Sequence, residues 1–487
     1  MALISASLLN PNSNLSFKHY DISTTSNFLQ SQLFSNLQST MRIRSRKGRG
    51  LVMEMNPVGA THSFDVVVVG AGIIGLSIAR QFLLHSPLSV AIVDAAVPCS
   101  GATGAASENL PPTAGQGYLW MTHKKPGTGV FDLALRSQKL WQSLADNLQD
   151  QGIDPSDALG WMKTGSLVIG TTEAELKQLN KHVQQLTAAG LRAEYLSGDD
   201  LALLEPELGV GWESGAAFLP DDCQLDAHRT VAFIEKGNRL FASQGRYAEF
   251  YHDPAMCLLR SNGKGVVEGI KTKNNTLYSR KASIIAAGCW TGSLMHELLR
   301  ESDAKVNVPV QPRKGFLLVL ENFNFLRLNH GLMEAGYASH QNYVISEQRR
   351  VDREEALSIS MTATIDACGN LLLGSSRQFA GFNTELDMLI VNRIWERAQE
   401  FFPALKEISL ESLNEKMNVR IGLRPYMPDG KPVIGPIPGM PNLFLAAGHE
   451  GGGLSMALGT AEMVVDMVLG NPLRVDPNHF AVEGRCC

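Results

Sequence analysis

The sequence predicts an α/β fold, and three observations support that prediction. The chain has 487 residues, 44% of them hydrophobic and 19% charged, which is enough for two or three domains with substantial cores. Residues 64–96 contain two β-branched runs separated by a glycine turn and a helical pattern. Residues 442–469 again show an apolar run, a glycine turn and a helical pattern. Strands that alternate with helices in this way are typical of an α/β fold.

The N-terminal segment differs in composition from the rest of the chain. Residues 1–50 are rich in Ser and Asn, have Asp21 as their only acid, and end in the basic run MRIRSRKGRG. This composition is typical of an organellar transit peptide, which we place at residues 1–55. The Ser content and the late basic cluster favour the chloroplast, with the mitochondrion as the alternative address. A solvated tail without a targeting role is the other interpretation.

Charge and cysteine content exclude several classes of function. The net charge is −5 and Lys and Arg are scattered after residue 50, which argues against nucleic-acid binding. The seven Cys residues contain no CxxC pair, so no zinc or other metal site is predicted. No predominantly apolar run reaches the ~18 residues of a membrane span, so no transmembrane segment is predicted.

The first βαβ unit carries a dinucleotide-binding spacing. Gly70, Gly72 and Gly75 form GxGxxG, in which the first glycine permits the tight turn, the second admits a pyrophosphate, and the third lets the helix pack on the strand. The helix N-terminus then faces the phosphate charge. The predicted contacts here are Gly70, Ala71, Gly72, Ile73, Ile74 and Gly75.

An acidic residue follows at the expected distance. Asp94 stands at the end of the second β-branched run, 19 residues after Gly75, where a carboxylate accepts ribose hydroxyls. Asp94 and Ala95 are therefore predicted cofactor contacts. The alternative is that Asp94 is a turn residue at a strand end. The motif alone leaves FAD and NAD open.

The C-terminal glycine turn favours FAD. NLFLAAG (442–448) indicates a strand, HEGGG (449–453) a turn, and Leu454 to Leu469 a helix. The start of such a helix suits an anion, and reduced flavin carries negative charge around N1 and the C2 carbonyl.

Further motifs lie between these two regions. They are TGSLVIG (164–170), IIAAGCWTGSL (284–294), VPVQPRKGFLLVL (308–320) and GNLLLGSSRQFAGF (369–382). With the two glycine turns, they make residues 64–470 resemble the FAD-dependent oxidoreductases of the D-amino-acid oxidase, glycine oxidase and sarcosine oxidase group.

The resemblance implies a two-domain architecture. A Rossmann-like FAD-binding domain would be built from residues 60–110, 220–300 and 415–487. Residues 115–215 and 300–415 would form a substrate domain on an antiparallel sheet. FAD is expected to bind non-covalently, because residues 419–435 contain no Cys and residues 97–110 no His, where relatives attach flavin.

The resemblance also implies further cofactor contacts. The turn after GCW would close on the flavin domain through Gly288, and Ala255 would lie near the adenine. The C-terminal turn would lie along the isoalloxazine ring. The contacts implied at that turn are Gly448, His449, Glu450, Gly451, Gly452, Gly453, Leu454 and Ser455.

Arg424, in the GLRP segment, is the implied substrate residue. A guanidinium holds a carboxylate through two parallel hydrogen bonds and orients the Cα–H toward flavin N5. The alternative is that Arg424 pairs with Asp429 and pins a turn. Tyr337, Tyr343 and Tyr426 are pocket candidates or amphipathic core residues. No catalytic base is assigned, and His449 is interpreted as a packing residue rather than an acid–base group.

The loop at residues 101–120 allows two registers. In the first, residues 106–114 bulge away while Thr103, Gly104, Ala105, Gly115, Gln116 and Gly117 contact FAD. In the second, Gly104 to Asn109 form the phosphate segment. The first is favoured because Glu108 would repel the pyrophosphate and Pro111 and Pro112 have no N–H to donate.

The implied reaction is hydride transfer from the Cα of an amino acid or related amine to flavin N5. The acceptor that reoxidises the flavin is left open between oxygen and a quinone. The alternatives are a 2-hydroxy acid dehydrogenase on the same fold and a non-catalytic flavoprotein that serves as an assembly factor.

Overall fold

The computed structural model describes residues 59–103, 115–261, 266–300, 306–337 and 357–486. The predicted transit peptide, Gly104, Ala105 and Tyr343 lie outside these residues. The strands are β1 (Ala60–Val69), β2 (Val90–Val93), β3 (Tyr118–Leu119), β4 (Ser166–Gly170), β5 (Glu194–Ser197), β6 (Gly215–Leu219), β7 (Cys223–Gln224), β8 (Tyr247–Phe250), β9 (Ala255–Arg260), β10 (Val267–Thr272), β11 (Asn275–Ile285), β12 (Gln311–Leu320), β13 (Gly331–Glu334), β14 (Ser358–Ile365), β15 (Leu371–Arg377), β16 (Met417–Tyr426), β17 (Val433–Ile437) and β18 (Met440–Ala447).

The helices that matter for the packing lie between these strands. They are α1 (Ile73–His85), α2 (Gly129–Asp150), α3 (Pro155–Leu159), α4 (Glu173–Ala188), α5 (Gly198–Leu204), α6 (Ala227–Arg239), α7 (Thr291–Leu298), α8 (Met388–Phe401) and α9 (Gly453–Leu469).

The first sheet has the strand order β17-β18-β11-β1-β2-β8, with β10 and β9 attached beside β11. Strands β18, β11, β1, β2 and β8 run parallel to one another. The βαβ unit expected at residues 64–96 is present as β1, α1 and β2. Parallel strands of this kind require both sheet faces to be covered.

Strand β1 shows how both faces are covered. Val66 and Val68 point into the core formed with α1 and α9, while Val67 and Val69 point into the core on the opposite face. Successive side chains of a strand alternate between faces, so a strand buried on both sides needs an unbroken apolar run. The VVVV run of the sequence meets that need.

The second sheet has the order β16-β12-β15-β14-β13-β4-β6-β5. Its neighbours are antiparallel except for β13 and β4, which are parallel. One face packs on α8, where Leu318 and Leu373 meet Trp395. The opposite face carries Leu317 and Leu372. This sheet is thus a mainly antiparallel layer beside the parallel one.

Two elements lie on the other side of the expected domain boundaries. Strand β16 falls in the predicted FAD segment 415–487, yet it pairs with β12 in the second sheet over its whole length. Helix α2 falls in the predicted substrate segment 115–215, yet its Trp141 is buried against α9 and donates to the Leu454 carbonyl at 3.0 Å. Strand pairing places β16 in the second sheet, and the apolar stripe of α2 places that helix against α9. The order of segments along the chain does not show either contact.

Among the described residues, one segment is long and apolar enough by composition to cross a membrane. It is the 20-residue stretch Glu450–Leu469, which contains α9. Half of that stretch is buried in the protein, and Ala457, Ala461 and Val464 are fully enclosed by the first core. This is the position of a core helix.

Candidate active site

A cavity of about 480 Å³ lies where the carboxyl ends of the parallel strands face the second sheet. Its wall includes the residues that directly follow β1, β2 and β11, the last two residues of β18, and Leu317 and Leu423 from the second sheet. Ligands of open α/β sheets bind outside the carboxyl ends of the strands. The position therefore follows from the topology of the first sheet.

The first glycine turn has the geometry that its spacing predicts. Gly70 has φ +113°, and a Cβ on it would lie 2.3 Å from the Ala286 carbonyl oxygen. A Cβ on Gly75 would lie 1.9 Å from the Gly70 oxygen, so α1 packs too closely for any side chain there. Gly72 instead meets only Thr103 Oγ1, at 3.8 Å, and faces the cavity. This is a backbone cradle that a larger residue would fill.

Asp94 lines the cavity directly after β2. The N–H of Ala71 donates to its Oδ2 at 2.7 Å, and the N–H of Ala96 donates to its Oδ1 at 2.8 Å. Burial raises the pKa of Asp94, although these two N–H groups and His252 oppose the rise. The carboxylate is thus oriented by the glycine turn itself.

The two sides of the loop at 101–120 meet at the cavity. Thr103 Oγ1 accepts a hydrogen bond from the Ile73 N–H at 3.4 Å, and a Cβ on Gly115 would lie 3.4 Å from the Thr103 carbonyl oxygen. Residues 104–114 lie outside the described residues. The contact between Thr103 and Gly115 is the one expected if the intervening segment leaves the cavity wall.

The second glycine turn joins β18 to α9. Gly448 has φ +80°, Glu450 has φ +48°, and α9 begins without a side-chain cap. A Cβ on Gly453 would meet only Ile73 Cγ2, at 3.9 Å, so the start of α9 is open toward the cavity. A helix end with exposed N–H groups favours a negative charge.

His449 in that turn is neutral. It is 4% exposed, and its Nε2 lies 2.9 Å from Thr460 Oγ1. Burial lowers the pKa of His449 to about 3. The imidazole therefore packs against α9, in agreement with its interpretation as a packing residue.

Arg424 lines the opposite end of the cavity, on β16. Its Nη1 donates to the Ser376 carbonyl at 2.9 Å, and its guanidinium covers Gly315 on the adjacent β12. The alternative partner, Asp429, forms a two-point pair with Arg485 at 2.8 and 2.9 Å. The interpretation of Arg424 as the partner of Asp429 is therefore wrong.

Two further charged residues stand beside Arg424. Arg313 is its register partner on β12, and Arg313 Nη1 lies 3.3 Å from Glu450 Oε1. Burial alone would raise the pKa of Glu450. The positive charges of Arg313, Arg424 and Arg377 outweigh that effect and lower the pKa to about 2. Glu450 is thus ionised and belongs to a cluster of guanidinium groups.

Sequence reasoning missed two of these groups. Arg313 and Arg377 both lie inside quoted motifs, VPVQPRKGFLLVL and GNLLLGSSRQFAGF, but neither was singled out. Arg377 ends β15 and stacks on Tyr337, with 3.9 Å between its Cζ and the ring centroid. A charged residue at the end of an otherwise buried strand was the available signal.

Most predicted site residues do line the cavity. Those that do are Gly70, Gly72, Ile73, Ile74, Asp94, Ala95, Thr103, Gly115, Gln116, Gly117, Ala255, Gly288, Tyr337, Arg424, His449, Glu450, Gly451, Gly453 and Leu454.

The other predicted residues that the structure describes sit behind the wall. Ala71, Gly75, Gly448, Gly452 and Ser455 support the two turns without lining the cavity. Tyr426 also lies away from it, with its ring against Phe379 and Arg313. Its place in the predicted pocket is therefore corrected, since Arg313 and Phe379 occupy that side of β16. Cavity residues that were not predicted include Cys99, Tyr118, Cys289, Trp290 and Leu317.

The residues present fit the predicted FAD. Two glycine turns face one cavity, the oriented carboxylate of Asp94 lines it, and the start of α9 faces it without a side-chain cap. These are the donors and the clearances that a pyrophosphate, a ribose and an isoalloxazine ring need.

Comparisons with known proteins agree with this geometry. The model of the DAO family, FAD dependent oxidoreductase, matches residues 65–467. The glycine oxidase of Bacillus licheniformis is 25% identical over 421 residues, covering 85% of this chain and 95% of the relative. A D-amino acid dehydrogenase of Methylobacterium sp. (strain 4-46) is 24% identical over 348 residues, covering 71% and 73%.

Solved structures show the same fold. The crystal structure of glycine oxidase from Geobacillus kaustophilus superposes with a TM-score of 0.68 at 22% identity, covering 87% of this chain and 99% of that one. The family match spans both glycine turns and the strands that hold Arg313, Arg377 and Arg424. The chain therefore belongs to the DAO family of FAD-dependent oxidoreductases and is itself an FAD-dependent oxidoreductase.

Proposed function

We propose that the protein oxidises an amino acid or a related amine at Cα, with Arg424 holding the substrate carboxylate. The observation that carries this proposal is the position of Arg424. Its guanidinium lines the cavity and donates to one backbone carbonyl, that of Ser376. It makes no ion pair within 4.0 Å to a carboxylate among the described residues, so its other N–H groups remain for a ligand.

The chain's own residues orient and enclose the substrate in this proposal. Arg424 binds the carboxylate through two N–H groups, which fixes the direction of the neighbouring Cα–H. Leu317, Leu423 and the Tyr337 ring form an apolar wall around that carbon. FAD, when bound, supplies the hydride acceptor. The uncapped start of α9 favours the negative charge that accompanies that chemistry.

The names of relatives support an amine substrate. The relatives reported above are a glycine oxidase and a D-amino acid dehydrogenase. Both names specify oxidation of an amino acid. At about one residue in four identical, they support the reaction class and leave the particular amino acid to experiment.

Anaerobic reduction of the bound flavin tests the proposal directly. The purified holoenzyme is mixed with glycine, sarcosine, D- and L-amino acids, and 2-hydroxy acids, and the flavin band in the blue is followed. We expect bleaching by at least one amine. Bleaching by 2-hydroxy acids alone would assign the enzyme to the hydroxy-acid class. A band that persists with every compound would favour the non-catalytic flavoprotein.

We also propose that the protein binds FAD non-covalently. Cys99 and Cys289 line the cavity, and burial raises the pKa of both thiols, that of Cys289 to about 12. A thiol kept protonated is a poor nucleophile toward the flavin ring. Acid precipitation is expected to leave the yellow colour in the supernatant, and colour retained in the pellet would contradict non-covalent binding.

The N-terminal segment directs the protein to the chloroplast in this proposal, as expected for an organellar plant protein. The support is its composition: Ser-rich, nearly free of acids and ending in a basic run. Residues 1–55 fused to a fluorescent reporter should deliver it to plastids. Diffuse cytosolic signal would refute the targeting role, and mitochondrial signal would select the other organelle.

A further inference from the structure

Arg377 is buried in the wall beside the cavity with its charge unmatched. The residue is 2% exposed, and its Nε, Nη1 and Nη2 have no hydrogen-bond partner among the residues that the structure describes. An arginine is almost never fully buried unless it is paired. A guanidinium without hydrogen bonds or a counter-ion is costly, so its burial needs a reason.

Its location links it to the substrate end of the cavity. The Arg377 Cζ lies 3.9 Å from the centroid of the Tyr337 ring, and Tyr337 lines the cavity. The residue before it, Ser376, accepts the hydrogen bond of Arg424 through its carbonyl. Arg377 on β15 and Arg424 on β16 therefore flank β12 and lie at the same end of the cavity.

The charges at this end do not balance. Arg313, Arg377 and Arg424 supply three positive charges, and all three lower the pKa of the nearby carboxylate of Glu450. Glu450 is engaged by Arg313 at 3.3 Å. Contact with the Tyr337 ring stabilises a cation, but it does not replace a counter-ion. Two guanidinium groups therefore remain for anions that a ligand brings.

We propose that the substrate carries a second carboxylate, which Arg377 binds while Arg424 holds the α-carboxylate. The substrate class is then a dicarboxylic amino acid or a dicarboxylic secondary amine. This inference rests on the proposed function, because it assumes that Arg424 binds the α-carboxylate. A substrate with one carboxylate would leave Arg377 buried and unmatched in the complex as well.

Matched substrate pairs test the inference on the native holoenzyme. The pairs are aspartate with asparagine, glutamate with glutamine, both as D and L forms, and iminodiacetate with sarcosine. The readout is the second-order rate of anaerobic flavin reduction. We expect the acid of the reactive pair to reduce the flavin at a second-order rate roughly 30-fold or more above that of its neutral partner. This factor corresponds to one buried charge pair. A neutral partner that matches or exceeds its acid would overturn the inference.

The two proposals fail in different ways in this experiment. If no acid and no neutral partner reduces the flavin, the proposed amine oxidation fails. If the neutral compounds reduce it and the acids do not, only the second-carboxylate inference fails. Succinate and butyrate give a readout without turnover: succinate should perturb the flavin spectrum at a roughly 30-fold lower concentration than butyrate. Equal concentrations would count against Arg377 as an anion site.

Variants then assign the effect to Arg377. Arg377→Met removes the charge with little change in volume, Arg377→Lys retains it, and Arg192→Met at an exposed ion pair is the matched control. We expect the rate ratio of each acid to its neutral partner to fall to about one in Arg377→Met, and the preference for succinate over butyrate to be lost. Equal losses for acids and neutral partners would overturn the inference. Should Arg377→Met fail to fold, Arg377→Lys and the native pairs still decide the question.

Discussion

The two ends of the cavity are built in different ways. At the nucleotide end, the wall is mostly backbone: Gly70 and Gly75 pack against carbonyl oxygens, Gly72 leaves an open cradle, and the Ala71 N–H of the same turn orients Asp94. At the substrate end, Arg424 and Glu450 line the cavity, and the long charged side chains of Arg313 and Arg377 stand beside them. The first end tolerates almost no added volume, whereas the second depends on which charges face one another.

The difference explains how one fold serves many substrates. The backbone end binds the part of the cofactor that stays the same, so its constraints are steric and local in sequence. The side-chain end binds what varies between enzymes, and single substitutions on β12, β15 or β16 can change its charge without disturbing the turns. Each of the following experiments tests one side of this contrast.

The largest effect is expected from Gly75→Ala. The new Cβ would lie 1.9 Å from the Gly70 carbonyl oxygen, so α1 must move away from the turn. We expect the purified variant to lose its flavin almost completely, as measured by the ratio of blue to ultraviolet absorbance. Gly211→Ala, where nothing lies within 4 Å, is the control. Full flavin content in Gly75→Ala would show that the turn is not sterically limited.

Arg424→Met tests the charged end. We expect FAD content to be retained. We expect kcat/KM for a carboxylate substrate to fall by an amount that corresponds to about 2–5 kcal/mol of transition-state free energy, because a buried ion pair loses one partner. Arg192→Met serves as the control. Steady-state kinetics with the best substrate of the panel give the value. An unchanged kcat/KM would remove Arg424 from the substrate site.

His449→Asn tests whether the cofactor end is kept neutral. The folded-state pKa of His449 is about 3, below its ordinary value of 6.5. Its contribution to stability is therefore present above pH 6.5 and is lost as the pH falls toward 3.

At pH 5 this loss amounts to about 2 kcal/mol relative to pH 7.5. Urea unfolding at both pH values measures it. We expect the variant to lose less stability on acidification than the native protein, and the exposed-site variant His85→Asn to behave like the native protein. An identical pH dependence in His449→Asn would disprove the assignment.

Asp94→Asn should have a moderate effect on the cofactor. Asparagine retains one oxygen to accept from the Ala71 N–H but loses the charge that favours ribose hydroxyls. We expect the dissociation constant for FAD to rise about tenfold, or ~1.4 kcal/mol, in titrations of the apoprotein. Asp150→Asn on the exposed end of α2 is the control. Unchanged FAD affinity would leave Asp94 as a turn residue only.

Deletion of residues 106–114 should have the smallest effect. Thr103 and Gly115 already meet at the cavity, so the two sides of the loop need little rearrangement to be joined. We expect flavin content equal to that of the full chain. Loss of flavin would select the competing register, in which residues 104–109 form the phosphate segment.

Local sequence patterns determine the cofactor end of this protein. The VVVV run, the three glycines and Asp94 lie within 30 residues of one another, and each acts on its neighbours along the chain. The second glycine turn is also local, since β18, HEGGG and α9 are consecutive. Spacing was therefore sufficient to predict the two turns and Asp94, while the family resemblance supplied further lining residues such as Ala255 and Gly288.

Only the tertiary structure decided the substrate end. Arg313, Arg377, Arg424 and Glu450 come from four separate segments, and they meet because β12 pairs with both β15 and β16 while the turn before α9 faces that edge. Register is a long-range property: pairing by one residue more or less would turn each side chain to the other face. For the same reason, the sequence does not show that Asp429 pairs with Arg485 or that the charge of Arg377 is unmatched. Both facts appear only when the strands are paired.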